Sequence, residues 1–370
     1  MKKILFVANV AKEHILKFHI PTIKKFKAEG WIVDVACSGN EEIPYCDKQY
    51  HASWKRSPFT IKTLKGIREL KEIIDEQNYD VVYCHTPVGG LIGRVAARKA
   101  RKEGTKVIYF AHGLHFFKGS PLINWLIYYP IEKWLAHITD TIFLINKEDF
   151  DNVQKFFPSK IKSKLFPGIG VDFSRLEGQF TENDKQKYRQ QLNIPKDATV
   201  LIYVAELIKN KNQGMLIKAL KKVREENPNT YLLLVGPDHY NGKYQKLAEK
   251  EKVSAYVRFT GWKNDIGNLL KSSDICVASS IREGFGLNLV EAMYCGLPVV
   301  ATRNRGHSSI INDGENGFLV EIGDFEKMAE RINALINDEV DKDKFSNLSL
   351  EAYDVKRVSD TLFDVISKEN

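Results

Sequence analysis

Glu283 and Glu291 stand eight positions apart in residues 282–300, REGFGLNLVEAMYCGLPVV, with Gly284-Phe285-Gly286 between them. Two carboxylates beside a glycine bend suggest an acid/base pair. The surrounding pattern points elsewhere. DICVASS, just before, reads as a buried strand, and LNLVEAMYC reads as a helix. Glycines between strand and helix let backbone approach a ligand closely, and the N–H groups of a helix start favour an anion. A carboxylate is a poor ligand for phosphate and a good one for hydroxyls. Glu291, along the helix, suits a diol; Glu283, at the mouth of the bend, suits another hydroxyl. A phosphate flanked by hydroxyls is the chemistry of a nucleotide-sugar. The plain alternative is a solvated charge pair on a helix face.

Other groups have the right type but weaker context. His112 follows a strand and precedes a glycine in YFAHG; the plain alternative is a structural histidine. His19 in HIP, His85 in CHTP and His115 are acceptor-side candidates at expected strand or helix ends. Two D-x-D triplets, Asp149-Phe150-Asp151 and Asp341-Lys342-Asp343, lie in charged, helix-like segments and read as solvated faces, so no metal is expected. GGLIG at 89–93 lacks the G-x-G start of a dinucleotide fingerprint and reads as helix packing.

These residues need elements to position them. Apolar runs KILFVANV, WIVDVAC, DVVYCH, KVIYFAH and TIFLIN alternate with helix-periodic stretches such as TLKGIRELKEIIDEQN. Strand–helix alternation predicts parallel sheet covered on both faces. A turn-rich crossing, KLFPGIGVDFSRL, follows. The alternation then restarts with TVLIYVAEL, TYLLLVGPD, YVRFTGW, DICVASS, LPVVAT and NGFLVEI. The expectation is an α/β chain of two doubly wound halves: residues 1–172, completed by a helix near 352–370, and residues 173–351. Ligands of such sheets bind beyond the carboxyl ends of the strands, which implies a cleft between the halves.

Composition agrees: 370 residues, 43% hydrophobic and 28% charged, are ordinary for a globular chain of two domains. Five scattered cysteines, with no C-x-x-C, read as reduced thiols in the cytoplasm. MKKILFVANV has too short an apolar run for a signal peptide and reads as a first strand. The uncharged run GSPLINWLIYYPI is short of the ~20 residues a membrane span needs. Net charge is +8, and it is uneven. Residues 1–180 hold 28 Lys and Arg against 19 Asp and Glu, while residues 181–370 hold 27 against 28. A basic first half suggests an anionic surface or substrate there. No nucleic-acid-reading module is visible. HFFKGSPLINWLIYYPIEKWL, rich in aromatics with interspersed lysines, suits either buried core or an anionic membrane interface.

At this point the residues carry a specific resemblance. Glu283-x7-Glu291, inside S-x-R-E-G-F-G-L-N-L-V-E-A-M-x-x-G-L-P-V-V-A-T, resembles the signature of family 4 retaining glycosyltransferases, which have the GT-B fold. INDGENGFLV, VVYCHTPVGGLIGRVAAR and AHGLHFFKG resemble other stretches of capsule and exopolysaccharide members. GIGVD resembles the interdomain N-G-V-D, with Ile169 for asparagine. The resemblance implies that Glu291 binds ribose hydroxyls and Glu283 the transferred sugar. It also implies that backbone from Gly284 through Phe285, Gly286, Leu287 and Asn288 holds diphosphate and sugar. His112 would face the donor sugar near the reaction centre. Trp262 and Lys263, in the segment running to Asp265, would lie near a uracil-type base. One departure stands out. The usual G-R-L…K-G is here VAELIKNKNQ, so Ala205 and Glu206 replace Gly and Arg, and Lys211 keeps the lysine position. Lys211, with Arg282 as a second cation, is expected to hold the diphosphate.

The resemblance thus implies transfer of a hexose or N-acetylhexosamine, with retention, from a UDP-sugar. The acceptor would be a polyprenyl-diphosphate-linked sugar, at the inner face of the cytoplasmic membrane, with no cofactor or metal. Alternatives are a GT-B UDP-sugar epimerase and a non-catalytic sugar-nucleotide-binding subunit.

Overall fold

The computed structural model describes residues 1–54, 61–340, 345 and 349–368. The chain forms two compact units: Met1–Gly170 with Val355–Asn370, and Val171–Asp354. The first is therefore built from both ends of the sequence.

The first unit holds seven strands: β1 (Lys3–Val10), β2 (Ile32–Ser38), β3 (Lys48–His51), β4 (Val81–His85), β5 (Lys106–Ala111), β6 (Thr141–Leu144) and β7 (Lys162–Leu165). They pair in the order β3-β2-β1-β4-β5-β6-β7, every neighbour parallel. The central strands are buried on both faces, which is why KILFVANV and VVYCH read as continuous apolar runs. The two edge strands, KQYH and KSKL, are half exposed and polar, and no apolar run announced them. The closing helix, Val355–Lys368, buries Val358, Leu362 and Ile366 within this unit, and Phe363 lies edge-on to Phe26.

The second unit holds β8 (Thr199–Val204), β9 (Thr230–Val235), β10 (Val257–Gly261), β11 (Ile275–Ala278), β12 (Val299–Thr302) and β13 (Phe318–Val320). Their order is β10-β9-β8-β11-β12-β13, again all parallel. In each sheet the order reverses once, between β1 and β4 and between β8 and β11. In such folds the loops at that reversal diverge and leave a crevice beyond the strand ends.

Candidate functional site

In the second unit, the loops leaving β8 and β11 meet at the reversal. Lys211 Nζ forms an ion pair with Glu283 Oε1. Ser280 Oγ donates to the same oxygen at 2.6 Å. The two loops are also tied through backbone: Ile281 N donates to Asn210 O at 2.8 Å, Asn210 Nδ2 to Arg282 O at 3.0 Å, and Ser279 Oγ to Lys211 O at 2.8 Å. Burial pushes the Glu283 carboxyl up, but the charge of Lys211, then His307 and the two hydrogen bonds outweigh it and hold it below the ordinary value. Glu283 is thus kept ionised, able to accept hydrogen bonds. Lys211 and Glu283, expected at different parts of a donor, touch each other.

Gly284-Phe285-Gly286 turns the chain into the helix Leu287–Tyr294. Gly286 has φ +117° and caps the helix with no side-chain hydrogen bond. A side-chain oxygen there would satisfy the first N–H groups; here Leu289 N donates to Gly286 O at 3.0 Å, and glycine leaves those of Leu287 and Asn288 for a ligand. Phe285 is buried, its ring 5.8 Å from Tyr353. Glu291 is half-buried on this helix; burial pushes its carboxyl up, with Arg175 partly opposing. The helix therefore offers an anion site at its start and a carboxylate one turn further in.

A third loop, after β12, was missed in the sequence reading. Asn304 Nδ2 donates to Ser280 O at 3.0 Å, and its Oδ1 accepts from the N–H groups of Gly306 and His307. Arg305 Nε reaches Glu283 O at 3.4 Å. A Cβ on Gly306 would stand 2.7 Å from Glu283 Cβ and 2.6 Å from Phe285 O, so only glycine permits this approach. The available signal was position: RNRG directly follows the strand VVAT.

Glu206 is exposed on the loop after β8, and its carbonyl accepts from Gln213 Nε2. Trp262 and Lys263 are exposed just beyond β10, Trp262 at 66%. Arg282 is exposed, its Nε 3.4 Å from Asn210 Oδ1.

In the first unit, His19, His85 and His112 come together, joined by His14, which the sequence reading did not single out. The pairing signal was HILKFH. A π-helical turn, Ala11–Ile15, follows β1 and carries His14. His85 ends β4, and His112 follows β5. Ring centroids lie 3.9 Å apart for His19–His85 and 4.6 Å for His14–His112. Burial pushes His14 down to about 4, and pushes the other three well below the ordinary histidine value. His115 is elsewhere: exposed and stacked on Tyr128 at 4.5 Å. Asp149 is not on a solvated face. It is buried and accepts from Leu114 N and Asn146 Nδ2, fixing the loop after β5. Asp151 is exposed and paired with Lys147. Asp341 to Asp343 lie outside the described residues.

Residues 184–351 match the family described as "Glycosyl transferases group 1", and residues 3–146 that described as "Glycosyl transferase 4-like". The chain is 46% identical over 334 residues to "Putative glycosyltransferase EpsD" of Bacillus subtilis (strain 168), covering 90% of this chain and 87% of that protein. It is 28% identical over 294 residues to the Escherichia coli UDP-Gal:alpha-D-GlcNAc-diphosphoundecaprenol alpha-1,3-galactosyltransferase, covering 78% and 73%. Anabaena HepE, crystallised with UDP and glucose, superposes with a TM-score of 0.80 at 21% identity, each chain covered in full. Two parallel sheets, a glycine bend between two glutamates and these matches agree: the chain belongs to the family 4 glycosyltransferases and has the GT-B fold.

Proposed function

We propose that this glycosyltransferase moves a hexose or N-acetylhexosamine, with retention, from a UDP-sugar to a polyprenyl-diphosphate-linked acceptor in bacterial surface-polysaccharide synthesis. The observation that carries the donor reading is the Gly286-capped helix start beside the Lys211–Glu283 pair. The names of the relatives, a diphosphoundecaprenol-directed galactosyltransferase among them, support the acceptor class.

Transfer breaks the bond between the anomeric carbon and the diphosphate and forms one to an acceptor hydroxyl, whose proton leaves with or through the phosphate. Negative charge grows on the leaving UDP while the sugar becomes cationic. Backbone N–H groups of Leu287 and Asn288 would meet that charge without reorganising. Lys211 has three donors and gives one to Glu283, which leaves others for the diphosphate. Arg282 and Arg305 flank it and stand in for the arginine replaced by Glu206. These groups supply the cation in this step, so no cofactor or metal is assigned to it. Glu283, held ionised, accepts from the sugar's hydroxyls, Glu291 from the ribose, and Trp262 offers a face to the base. His112 stays the acceptor-unit candidate near the anomeric carbon.

The membrane side of the reading rests on the helix Leu122–Ala136, which packs Trp125 and Leu135 inward yet presents a second apolar face outward. Leu122 (81% exposed), Ile123, Leu126 (73%), Ile127 and Trp134 face outward. Its Glu132 is buried and pairs with fully buried Arg94 through two hydrogen bonds of 2.8 and 3.0 Å. A contiguous outward face of Leu122, Ile123 and Leu126 suits a lipid surface better than water. No helix among the described residues is long and apolar enough to cross a membrane.

The test is a panel of UDP-sugars incubated with the full chain, with and without polyprenyl-diphosphate-linked sugar. UDP release that depends on the lipid-linked acceptor is expected. An isomerised UDP-sugar formed without acceptor would point to an epimerase. UDP binding with no turnover across the panel would point to a binding subunit.

A further inference from the structure

The first unit has its own constellation at its own sheet reversal, and it goes beyond the transfer reaction. We propose that His14, His19, His85 and His112 form a binding site for a divalent transition metal of the imidazole-preferring class, with zinc as the reference ion.

Convergence is the first ground. One ring nitrogen from each histidine lies within 4.8 Å of all the others. The His14 and His19 Nε2 atoms are 3.1 Å apart. A tetrahedral ion with bonds of about 2.0–2.1 Å holds its nitrogens roughly 3.3 Å apart. One pair already has that edge, and the widest closes by ring rotation and shifts on the order of an ångström. Histidines that merely fill a core have no reason to aim four rings at one point.

The second ground is unmet hydrogen bonding. His85 is fully buried, and both of its ring nitrogens lack a partner; so does buried His112 Nε2. Leaving a buried donor or acceptor unsatisfied costs about 1–3 kcal/mol each. Such groups in a folded protein call for an ion or water. The third ground is topology. Four ligands come from the π-helical turn after β1, the start of the helix Ile20–Ala28, the end of β4 and the loop after β5. β1, β4 and β5 are adjacent in the sheet, and β1/β4 is the reversal at which such folds bind ligands. π-turns are also frequent at functional sites. Burial keeps the rings neutral, the form that ligates.

The donor set decides the ion class. Four imidazoles with no carboxylate select zinc, copper, nickel or iron over magnesium, calcium or manganese. His112 is the one member of intermediate exposure, which provides an entry path. The cations assigned to the transfer step are in the second unit; the quartet is in the first, and an ion there would fix the ring of His112, the candidate near the anomeric carbon, without itself taking part in that step.

The full chain is stripped with a chelator and titrated with zinc against a chromophoric competitor. Cobalt is added in parallel to read coordination from its visible absorption. One equivalent of zinc per chain is expected, with tetrahedral cobalt bands and no competition from magnesium. His19→Gln and His85→Gln should each weaken zinc by more than the ~10–100-fold that outer-shell changes cost. His51→Gln, at the surface, should not. Circular dichroism screens the variants for folding; if those two unfold, His14→Gln, on the less enclosed π-helical turn, replaces them. A folded wild-type chain that binds no stoichiometric zinc at micromolar concentration overturns the proposal. So does zinc binding that the quartet variants leave unchanged.

Discussion

Lys211 and Glu283, 72 positions apart in sequence, are ion-paired where the loops after β8 and β11 meet. The pair sets the ionisation of Glu283, because burial alone would push its carboxyl up. Lys211→Met should therefore raise the Glu283 pKa. If the ionised form is needed, the acidic limb of kcat/KM against pH moves to higher pH, and kcat falls by about 100-fold from the lost cation. Stability should drop by about 1–3 kcal/mol, less than the ~3–5 of a fully buried pair, since both side chains keep some exposure. Urea midpoints and a pH–rate series check both. An unmoved acidic limb refutes the coupling.

Glu291 sits on the helix that Gly286 caps, away from the Lys211 pair. Glu291→Ala should weaken UDP binding about 10–100-fold, the range for hydrogen bonds to a charged group. Glu283→Ala should mainly lower transfer. Calorimetry with UDP separates the two, and equal UDP affinity for Glu291→Ala and wild type contradicts the ribose assignment.

Gly306 tests the loop after β12. Its backbone is not in the left-handed region, so the constraint is contact alone. Gly306→Ala should push that loop from Glu283 and Phe285, cost about 1–3 kcal/mol, and weaken donor binding in a chain that still folds. Donor affinity equal to wild type would mean the loop does not shape the pocket.

The sheets were legible because buried parallel strands are written as unbroken apolar runs, and the bend at 284–286 because glycine, strand and helix follow in order. The edge strands β3 and β7 were not, since half-exposed strands carry polar residues. Nor was the meeting of His14 with His85 and His112. That depends on which strands become neighbours, and strand order is not a local property. The Arg94–Glu132 pair is invisible for the same reason, so the sequence of Leu122–Ala136 left core and membrane interface both open; the structure packs Trp125 and Leu135 inward and exposes Leu122 and Leu126.

With no metal bound, burial of the four histidines should make the first unit acid-sensitive. Their pKa values lie below the ordinary 6.5 when folded, His14 at about 4. Between folded and ordinary values the unfolded chain binds more protons, so stability is complete above about 6.5 and falls as pH drops toward 4. Hydrogen exchange at neutral and mildly acidic pH should show β1, β4 and β5 losing protection before β8 and β11. Uniform loss over both units argues against it.

For the exposed apolar face of the helix Leu122–Ala136, Leu122→Asp with Leu126→Asp should abolish sedimentation with anionic vesicles at low salt while leaving UDP affinity intact. Each leucine is worth about 1.5–3 kcal/mol when removed from water. Wild-type chain that does not sediment would remove the membrane reading.

The first unit is completed by Val355–Lys368, so residues 1–170 lack a helix of their own unit until that later segment is made. The intervening 184 residues, 171–354, need about 10–40 s at ordinary elongation rates. Throughout that interval Phe26 and its neighbours lack their cover. A nascent chain stalled before residue 355 should hold a finished second unit and an unfinished first one, the reverse of the usual order in which domains mature.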